Sequence, residues 1–219
     1  METKTNKEIF SEVYAKKVWG GADNEPFFSG VGSHDEKVIV PYMNLLLQII
    51  TNNKIRLITD LGCGDFWIMR HVLGTLDKNN YAYFYNGVDV VEELISYNNK
   101  TFGRYNVKFY CMDASQDTEL PFGELLIIRQ VLQHLSNADI KKILAETKDF
   151  KFVLVTEHIY DGNDAIFNAD KSADDTTRII FKSSVYLDKP PYNYKNIVHL
   201  LKFPEYGGII RTSLIVNEI

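Results

Sequence analysis

The sequence has little cysteine, no excess of positive charge and no long apolar run. Its 219 residues include two cysteines, which are too few for a disulfide framework or a cysteine-rich zinc site. We therefore expect Cys63 and Cys111 to be free thiols in a reducing compartment, and we expect no bound metal. With 24 Lys and Arg against 29 Asp and Glu, the net charge of −5 argues against nucleic acid as a partner.

Hydrophobic segments long enough for a membrane are also missing. The longest apolar stretches, residues 125–128 and 152–155, are far shorter than the roughly 18 residues that a spanning helix needs. Residues 1–10 are mostly polar and lack the apolar core of a signal peptide. We therefore expect a cytoplasmic protein that has no membrane partner and is a monomer or a homodimer.

The remaining composition is that of a folded globular domain. Hydrophobic residues make up 45% of the chain and charged residues 24%, which argues against a chain that is disordered throughout. At roughly 150 residues per domain, this length fits one domain with an insertion.

Short apolar runs alternate with segments of helical periodicity from residue 55 onward. Strands are predicted over residues 56–61, 83–88, 107–112, 125–129 and 152–156. Helices are predicted over residues 65–76, 91–100 and 137–148, the last with Ser136 or Asn137 as its N-cap. This alternation indicates right-handed βαβ units around a buried parallel sheet. The tail predicts an antiparallel hairpin, with strands over residues 197–203 and 209–216 around the Tyr206-Gly207-Gly208 turn.

Two regions lie outside this alternation. Helical patterns over residues 8–19 and 38–50 flank a glycine-rich stretch, and residues 158–190 are rich in aspartate. We expect residues 1–54 to form a helical cap that covers a substrate. Residues 55–219 would form the main domain, with residues 158–190 as an insertion or lid.

The strongest motif is Asp60-Leu61-Gly62-Cys63-Gly64, at the junction of the first strand with the helix that follows. Glycines at such a junction let the backbone turn tightly and approach a ligand. Asp89 and Asp113 end the next two strands, where a carboxylate can accept hydrogen bonds from ribose hydroxyls and from an adenine amine, respectively. A single aspartate at such a position is a loop or capping residue as often as it is a ligand-binding residue. Three in register with a glycine-rich turn favour a ligand site.

These segments resemble the motifs of class I S-adenosylmethionine-dependent methyltransferases. Residues 60–66 resemble the first motif, and Gly87-Val88-Asp89, residues 111–114 and residues 126–136 resemble the later ones, in order and at fitting intervals. The resemblance covers about residues 55–157, and its flanks are similar to small bacterial methyltransferases of surface and capsular polysaccharide biosynthesis. It implies an α/β, Rossmann-like fold with a mostly parallel seven-stranded sheet, a C-terminal antiparallel hairpin, helices on both faces and an N-terminal helical cap.

The resemblance also implies S-adenosylmethionine as the cofactor, S-adenosylhomocysteine as the product, and residues that hold them. For the methionine part these are Asp60, Gly62, Cys63, Gly64, Gly32 and Ser33; for the ribose, Asp89 and Val90; for the adenine, Asp113 and Ala114; beside the sulfonium, Arg129 and Gln130. A flexible linker is the alternative for Gly32 and Ser33. Cys63 contributes its small size, since sulfonium chemistry needs no covalent intermediate.

Two positions depart from the family pattern. Phe66 replaces the third glycine that many relatives have, which disfavours a dinucleotide whose pyrophosphate passes close to the helix. Gln130 stands where relatives often have aspartate after the arginine. The resemblance therefore places the cofactor better than it places the catalytic groups.

Several residues are candidates for proton transfer. His134 is the first candidate base, because imidazole titrates near neutrality, with capping of the next helix or lining of the pocket as its alternative. His158 is the second, and Glu157 beside it would orient it or bind substrate. His34 and Asp35, near the glycine-rich stretch, are weaker candidates.

Three further residues are candidates for substrate binding. Tyr14 and Trp19 would be aromatic walls of the substrate site, with helix packing as the alternative. Arg178 would bind an anionic group such as a phosphate or carboxylate, or it is an ordinary surface arginine.

The function that we expect is O-methylation of a small polar acceptor. A sugar, a sugar nucleotide or a phosphorylated or phosphoramidate precursor of a bacterial capsular or surface polysaccharide fits this expectation. The fourth strand is not followed by Asn/Asp-Pro-Pro-Tyr, which argues against an enzyme that methylates DNA bases. Two alternatives stay open: a nicotinamide-dependent reductase of related fold, and a non-catalytic cofactor-binding subunit that supports a partner methyltransferase.

Overall fold

The structure is a computed structural model, and it describes residues 4–117, 119–205 and 207–218. Tyr206, in the predicted hairpin turn, lies outside the described residues. The strands are β1 (Leu57–Leu61), β2 (Phe84–Asp89), β3 (Val107–Cys111), β4 (Leu125–Arg129), β5 (Phe152–Ile159), β6 (Ile166–Phe167), β7 (Ser183–Ser184), β8 (Ile197–Glu205) and β9 (Gly208–Val216). The helices are α1 (Asn6–Ala15), α2 (Glu36–Asn52), α3 (Trp67–Lys78), α4 (Glu92–Phe102) and α5 (Asn137–Glu146). Short 3₁₀ turns lie at Val31–Ser33, Leu132–His134, Thr147–Asp149 and Ile179–Phe181.

Among the described residues, seven strands form one sheet in the order β3-β2-β1-β4-β5-β9-β8. The pairs β1–β2, β2–β3 and β4–β5 are parallel, whereas β9 is antiparallel to both β5 and β8. The short strands β6 and β7 pair separately. The predicted α/β fold, mostly parallel and closed by an antiparallel C-terminal hairpin, is therefore confirmed.

The chain divides into two compact units, Met1–Asp113 and Ala114–Ile219. In the first unit, the apolar face of α2 is buried, as its helical spacing predicts. Asp35 caps the start of α2 by accepting a hydrogen bond from the Lys37 amide. Helix α1 ends at Ala15, earlier than the predicted residue 19, because Lys17 adopts a left-handed conformation with φ of 49°.

In the second unit, every residue of β5 is buried, and the strand runs to Ile159, beyond the predicted end at residue 156. Helix α5 is capped by the Ser136 side chain, which accepts a hydrogen bond from the Asp139 amide. Within residues 158–190, the side chains of Ser183, Ser184, Tyr186 and Leu187 are buried. This part of the segment is packed, whereas Ile166, Phe167, Ile180 and Phe181 are at least half exposed. The functional division into residues 1–54, 55–219 and a lid at 158–190 stays a prediction.

No helix within the described ranges combines the length and the apolarity that crossing a membrane requires.

Candidate functional site

The loop between β1 and α3 contains the glycine motif. Gly62 and Gly64 have φ angles of 75° and 53°, a left-handed conformation that glycine adopts without strain. The amides of Gly62 and Cys63 donate hydrogen bonds to the Val88 carbonyl on the neighbouring strand β2, at 2.8 and 3.0 Å. The glycines therefore let the chain turn sharply at the end of β1 and fold back against β2.

Asp89 ends β2 and faces this loop. Its Oδ2 accepts a hydrogen bond from the Gly64 amide at 3.1 Å, and its Oδ1 accepts one from the Val91 amide at 3.2 Å. The residue is only 9% exposed, and burial raises its pKa to about 6, against the lowering effect of these amides. A buried carboxylate therefore lies directly beside the glycine-rich loop.

The ends of β2 and β3 lie side by side. The Met112 amide donates to the Asp89 carbonyl at 3.0 Å, and the Cys111 thiol lies 3.6 Å from the Val90 carbonyl oxygen. Asp113 follows directly and ends the first unit, and the buried Ala114 begins the second. Val90 and Asp113 thus belong to the same edge of the sheet as Asp89.

Two buried polar residues, Tyr85 and Asn98, hold the loop and its flanking strand through side-chain hydrogen bonds. The Tyr85 hydroxyl donates to Asp60 Oδ2 at 2.8 Å, so this carboxylate is held by the protein itself. Asn98 Nδ2, on α4, donates to the Gly64 carbonyl at 2.8 Å.

Cys63 is buried, and burial raises the pKa of its thiol well above the usual value, so the thiol is neutral.

Residues 14–34 close against the loop through Asp65. Asp65 Oδ2 accepts hydrogen bonds from the Ser29 amide and from His34 Nε2, both at 2.8 Å, while the Asp65 amide donates to Ser29 Oγ at 2.8 Å. A Cβ atom on Gly64 would lie only 2.3 Å from Ser29 Oγ. The missing side chain at Gly64 therefore makes room for Ser29.

Aromatic rings surround this contact. The Tyr14 hydroxyl lies 2.8 Å from Ser29 Oγ, and Trp19 meets the Tyr14 ring edge-on at 5.4 Å between centroids. The His34 ring stacks on Phe28 at 4.3 Å. Tyr14 therefore meets the loop through Ser29, whereas Trp19 packs against the Tyr14 ring. The neighbouring Gly32 and Ser33 belong to the 3₁₀ turn Val31–Ser33.

The second unit has a comparable loop after β4. Gln130 adopts a left-handed conformation with φ of 54°, and its amide donates to the Thr156 carbonyl on β5 at 2.7 Å. Arg129 Nη1 donates to the Gln130 side-chain oxygen at 2.8 Å. The two residues predicted to lie beside the sulfonium are thus joined to each other.

Glu157, on β5, holds the next three residues of this loop. Its carboxylate accepts hydrogen bonds from the amides of Val131, Leu132 and Gln133 at 3.2, 2.9 and 3.1 Å. The residue is 2% exposed, and burial raises its pKa to about 7 although these amides favour the charged form. Glu157 is therefore engaged with its own chain.

His134 and His158 are joined through Gln133. The Gln133 side-chain oxygen accepts from the His158 amide at 3.0 Å, and Gln133 Nε2 lies 3.2 Å from His134 Nε2. His134 Nδ1 lies 3.2 Å from the Thr176 carbonyl, so the hydrogen-bond pattern assigns the ring proton to Nδ1. Burial lowers the pKa of His134 to about 4, which leaves the ring neutral at pH 7. His158 Nε2 lies 2.9 Å from the Glu205 carbonyl oxygen.

Arg178 is 1% exposed and lies inside the insertion. Its guanidinium donates hydrogen bonds to the carbonyls of Leu135 and Ala169. The sequence left two interpretations of Arg178 open. The one that made it an ordinary surface arginine is wrong, because the side chain is buried. Its proposed contact with an anionic substrate stays a prediction.

The sequence matches no family model and no curated protein. Solved structures with low sequence identity do match along nearly the whole chain. The N-methyltransferase NodS from Bradyrhizobium japonicum WM9, in complex with S-adenosylhomocysteine, has a TM-score of 0.64 at 10% identity, over 97% of this chain and 99% of that one. Magnesium protoporphyrin IX methyltransferase ChlM from Synechocystis PCC 6803, with the same ligand bound, has a TM-score of 0.61 at 12% identity, over 98% and 100%.

A third structure is the 1,6-didemethyltoxoflavin-N1-methyltransferase from Burkholderia thailandensis, with 1,6-didemethyltoxoflavin and S-adenosylhomocysteine bound. Its TM-score is 0.57 at 12% identity, over 100% of this chain and 94% of that one. The chain has a Rossmann-like methyltransferase fold. Identities this low establish the fold and leave activity and substrate to be argued from the site.

Within the methyltransferase fold, the first unit brings together Asp60, Gly62, Cys63, Gly64 and Asp89, as predicted for one loop and its neighbouring strand. The roles assigned to these residues, and those of the second unit's Ala114, Arg129 and Gln130, stay predictions. In the part of the chain that the structure describes, no three His, Cys, Asp or Glu side chains are grouped so as to hold a metal ion.

Three residues that lie in these loops or bond to them had no role in the sequence prediction: Asp65, Asn98 and Gln133. Asp65 carries a usable signal, since an aspartate just before a helix commonly caps it. Asn98 also carries one, because it occupies the buried face of α4 beside Leu94 and Ile95, where a polar side chain must find a partner. Gln133 lies between Leu132 and His134, where no comparable pattern marks it.

Proposed function

We propose that the protein binds S-adenosylmethionine at the glycine-rich loop and transfers its methyl group to an acceptor. The observation that carries this proposal is the contact between Asp89 and the Gly64 amide at the carboxyl ends of β1 and β2. Ligands of open α/β sheets bind at such strand ends, where a carboxylate can accept hydrogen bonds from ribose hydroxyls. The structures of NodS and ChlM, which share the fold, contain S-adenosylhomocysteine.

The start of α3 favours this cofactor over a dinucleotide. Helix starts attract the pyrophosphate of a dinucleotide because their free amides point toward it. Here the Asp65 carboxylate occupies that place: its Oδ1 accepts from the Trp67 amide at 3.1 Å and its Oδ2 accepts from Ser29. A second anion beside this carboxylate would be repelled. S-adenosylmethionine has no pyrophosphate, and its one carboxylate is offset by its amino and sulfonium cations, so the arrangement supports it against the nicotinamide-dependent reductase.

The cofactor roles follow the geometry of the loop. Gly62 and Gly64 would form the turn beside the methionine part, with Ser29 packed against Gly64. Asp89 with Val90 would meet the ribose, and Asp113 with Ala114 would meet the adenine. Asp60 would act through the loop, since the Tyr85 hydroxyl already occupies one of its oxygens. The remaining proposed contacts are Gly32 and Ser33 for the carboxylate, Cys63 for the methionine chain, and Arg129 and Gln130 for the sulfonium.

When bound, the sulfonium supplies a methyl group that is already activated for displacement. The protein must then align the acceptor and, for a hydroxyl, accept its proton. His134 is neutral, with its ring proton on Nδ1. Its Nε2 could accept the acceptor's proton only after releasing the side-chain amide of Gln133. Glu157 would take it only by exchanging one of its three backbone donors. His158 would have to release the Glu205 carbonyl.

We extend the proposal to the acceptor. It is a small polar molecule methylated on oxygen: a sugar, a sugar nucleotide or a phosphorylated precursor of a bacterial capsular or surface polysaccharide, handled in the cytoplasm. Support comes from the family resemblance of the flanking segments and from the acidic charge of the chain, which disfavours RNA. Tyr14 and Trp19 would contribute aromatic walls, and Arg178 would meet an anionic group.

A non-catalytic cofactor-binding subunit is the second candidate. One observation favours it: each of the candidate bases His134, His158 and Glu157 already contacts protein atoms. Such a subunit would bind S-adenosylhomocysteine but transfer no methyl group unless its partner is present.

Methyl-labelled S-adenosylmethionine tests both candidates against a panel of nucleoside diphosphate sugars, free sugars and sugar phosphates. We expect label to appear in at least one acceptor, with thermal stabilisation by S-adenosylhomocysteine and none by NADPH. Stabilisation by NADPH alone would overturn the proposal in favour of the reductase. Cofactor binding without transfer to any acceptor would favour the subunit.

His134 is tested separately with two variants. A general base predicts that His134→Ala and His134→Asn both lose turnover while cofactor affinity is kept. A positioning role predicts that His134→Asn, whose amide can still donate to the Thr176 carbonyl, recovers turnover that His134→Ala loses.

A further inference from the structure

A cavity in the first unit lies between α3 and the end of α4. Its volume is about 370 Å³, within the range of small-ligand pockets. One face of α3 lines one side, and the turn from α4 into β3 lines the other. The glycine-rich loop described above contributes none of its glycines to this cleft.

The floor of the cleft is apolar. Phe66, Leu73 and Val107 line it and are 4%, 1% and 1% exposed, and the Phe102 ring forms a side wall. Phe66 also packs edge-on against Phe109 at 4.9 Å, so the floor is anchored in the core. The floor side chains are too buried to be contacted over a large area, so a ligand with a flat or apolar body would pack against the half-buried Phe102 ring above them.

The rim of the cleft carries an unbalanced positive charge. Arg104 is neutralised, since its guanidinium forms an ion pair with Asp77 at 2.7 Å and donates to the Tyr83 hydroxyl. Arg70 forms no ion pair with any acidic residue in the described ranges. Its guanidinium lies 4.5 Å from the Trp67 ring centroid and 5.7 Å from that of Phe102. A stacked arginine of this kind presents its N–H groups at the edge, where a carboxylate or phosphate binds.

Gly74 keeps the cleft open. It lies in the interior of α3, where glycine weakens a helix relative to alanine. Yet, apart from its chain neighbours and the helix's own backbone, no atom lies within 4 Å of the place that its Cβ would occupy, so packing does not require a glycine there. Because Gly74 lines the cavity, a larger side chain at this position would project into it.

We propose that this cleft binds a small organic anion, with its carboxylate or phosphate group at Arg70 and its apolar body against the Phe102 ring. The proposal does not depend on methyl transfer, because none of these contacts involves the glycines or Asp89. It adds a second ligand site to the first unit.

Backbone amide NMR of the full chain tests it with benzoate and phenyl phosphate as probes and benzyl alcohol as the uncharged control. We expect at least one anion to shift the Gly74 and Thr101 amides saturably, with a dissociation constant of about 1 mM or tighter. Benzyl alcohol should bind at least about tenfold more weakly. The two anions distinguish a carboxylate from a phosphate as the preferred group. If neither anion shifts these amides, or if benzyl alcohol binds equally well, the proposal is wrong.

Three variants locate the site. Arg70→Gln should weaken the anion at least about tenfold, whereas Arg56→Gln, an arginine stacked on Tyr81 outside the cleft, should not change it. Gly74→Leu should abolish binding by filling the space, while Gly74→Ala should raise the melting temperature and confirm that α3 accepts a side chain there. Unchanged affinity in a folded Arg70→Gln or Gly74→Leu variant would overturn the proposal.

Discussion

The loops after β1 and after β4 share one construction and differ in how they are closed. Each follows a buried parallel strand, and each is held by a buried carboxylate on the neighbouring strand: Asp89 on β2 for the first loop, Glu157 on β5 for the second. Burial raises the pKa of both carboxylates, to about 6 and about 7. The two loops therefore use the same kind of buried carboxyl group to hold backbone amides.

The two loops differ in the residues that close them. The first loop turns through glycines, and Gly64 leaves a gap that Ser29 enters from the N-terminal segment. The second loop turns through Gln130, in a left-handed conformation that costs a side-chain-bearing residue energy, and it is locked by Gln133 and His134. The first loop is thus closed by a segment distant in the chain, whereas the second is closed by its own residues and by β5.

The largest effect that we expect comes from removing the carboxylate of the second loop. Glu157→Ala leaves three amides, two of them on the buried Leu132 and Gln133, without their acceptor. We expect a loss of about 3–4 kcal/mol in the free energy of unfolding, measured by urea denaturation. The matched variant Glu146→Ala, at the end of α5, should change it by less than about 0.5 kcal/mol. A Glu157→Ala loss as small as that of the control would mean that Glu157 does not hold the loop.

The first loop is tested at Gly64. Gly64→Ala combines left-handed strain with a 2.3 Å contact to Ser29 Oγ, so we expect a loss of about 2–3 kcal/mol. In the Ser29→Gly background, about 1 kcal/mol or more of that loss should be recovered, since the contact is gone while the strain remains. Gly74→Ala, a glycine in open space, should instead gain about 0.5–1 kcal/mol. Additive losses in the double variant would contradict the contact.

The pH dependence of stability sharpens the comparison within the second loop. The pKa of Glu157 is raised from 4.5 to about 7, so its stabilising contribution is present below pH 4.5 and is lost as pH rises through 7. The pKa of His134 is lowered from 6.5 to about 4, so its contribution is present above pH 6.5 and is lost as pH falls toward 4. In the native chain the two effects oppose each other.

A variant that removes one of the two groups should leave the pH dependence of the other. Between about pH 5 and about pH 8, Glu157→Gln should gain about 2 kcal/mol of stability relative to the native chain, and His134→Asn should lose about the same amount. Thermal unfolding across this range measures both slopes. Slopes of the same sign would show that these two groups do not set the pH dependence.

The smallest effect concerns the left-handed residue of the second loop. Gln130→Val places a β-branched side chain at φ of 54° and should cost about 1 kcal/mol in urea denaturation. Gln130→Asn, which tolerates this conformation, should be nearly neutral. Equal costs for the two variants would remove backbone conformation as the reason.

The same contrast explains what the sequence predicts and what it does not. The strands and the glycine motif follow from local patterns, because apolar periodicity and glycine position depend on neighbouring residues. The contact of Asp65 with Ser29 and His34 joins segments about thirty residues apart, and no local pattern reports it. His134 and Glu157 have the chemistry of catalytic residues in the sequence, but only the fold shows that their polar atoms already contact the chain.

Calorimetric titration of S-adenosylhomocysteine into the native chain, Asp89→Ala and the control Asp77→Asn addresses the first loop as a cofactor site. We predict saturable binding to the native chain and to Asp77→Asn, with Asp89→Ala weaker by about 1.5–3 kcal/mol, the value of one hydrogen bond to a charged group. Absence of binding to the native chain, or equal affinity for Asp89→Ala in a folded protein, would contradict it.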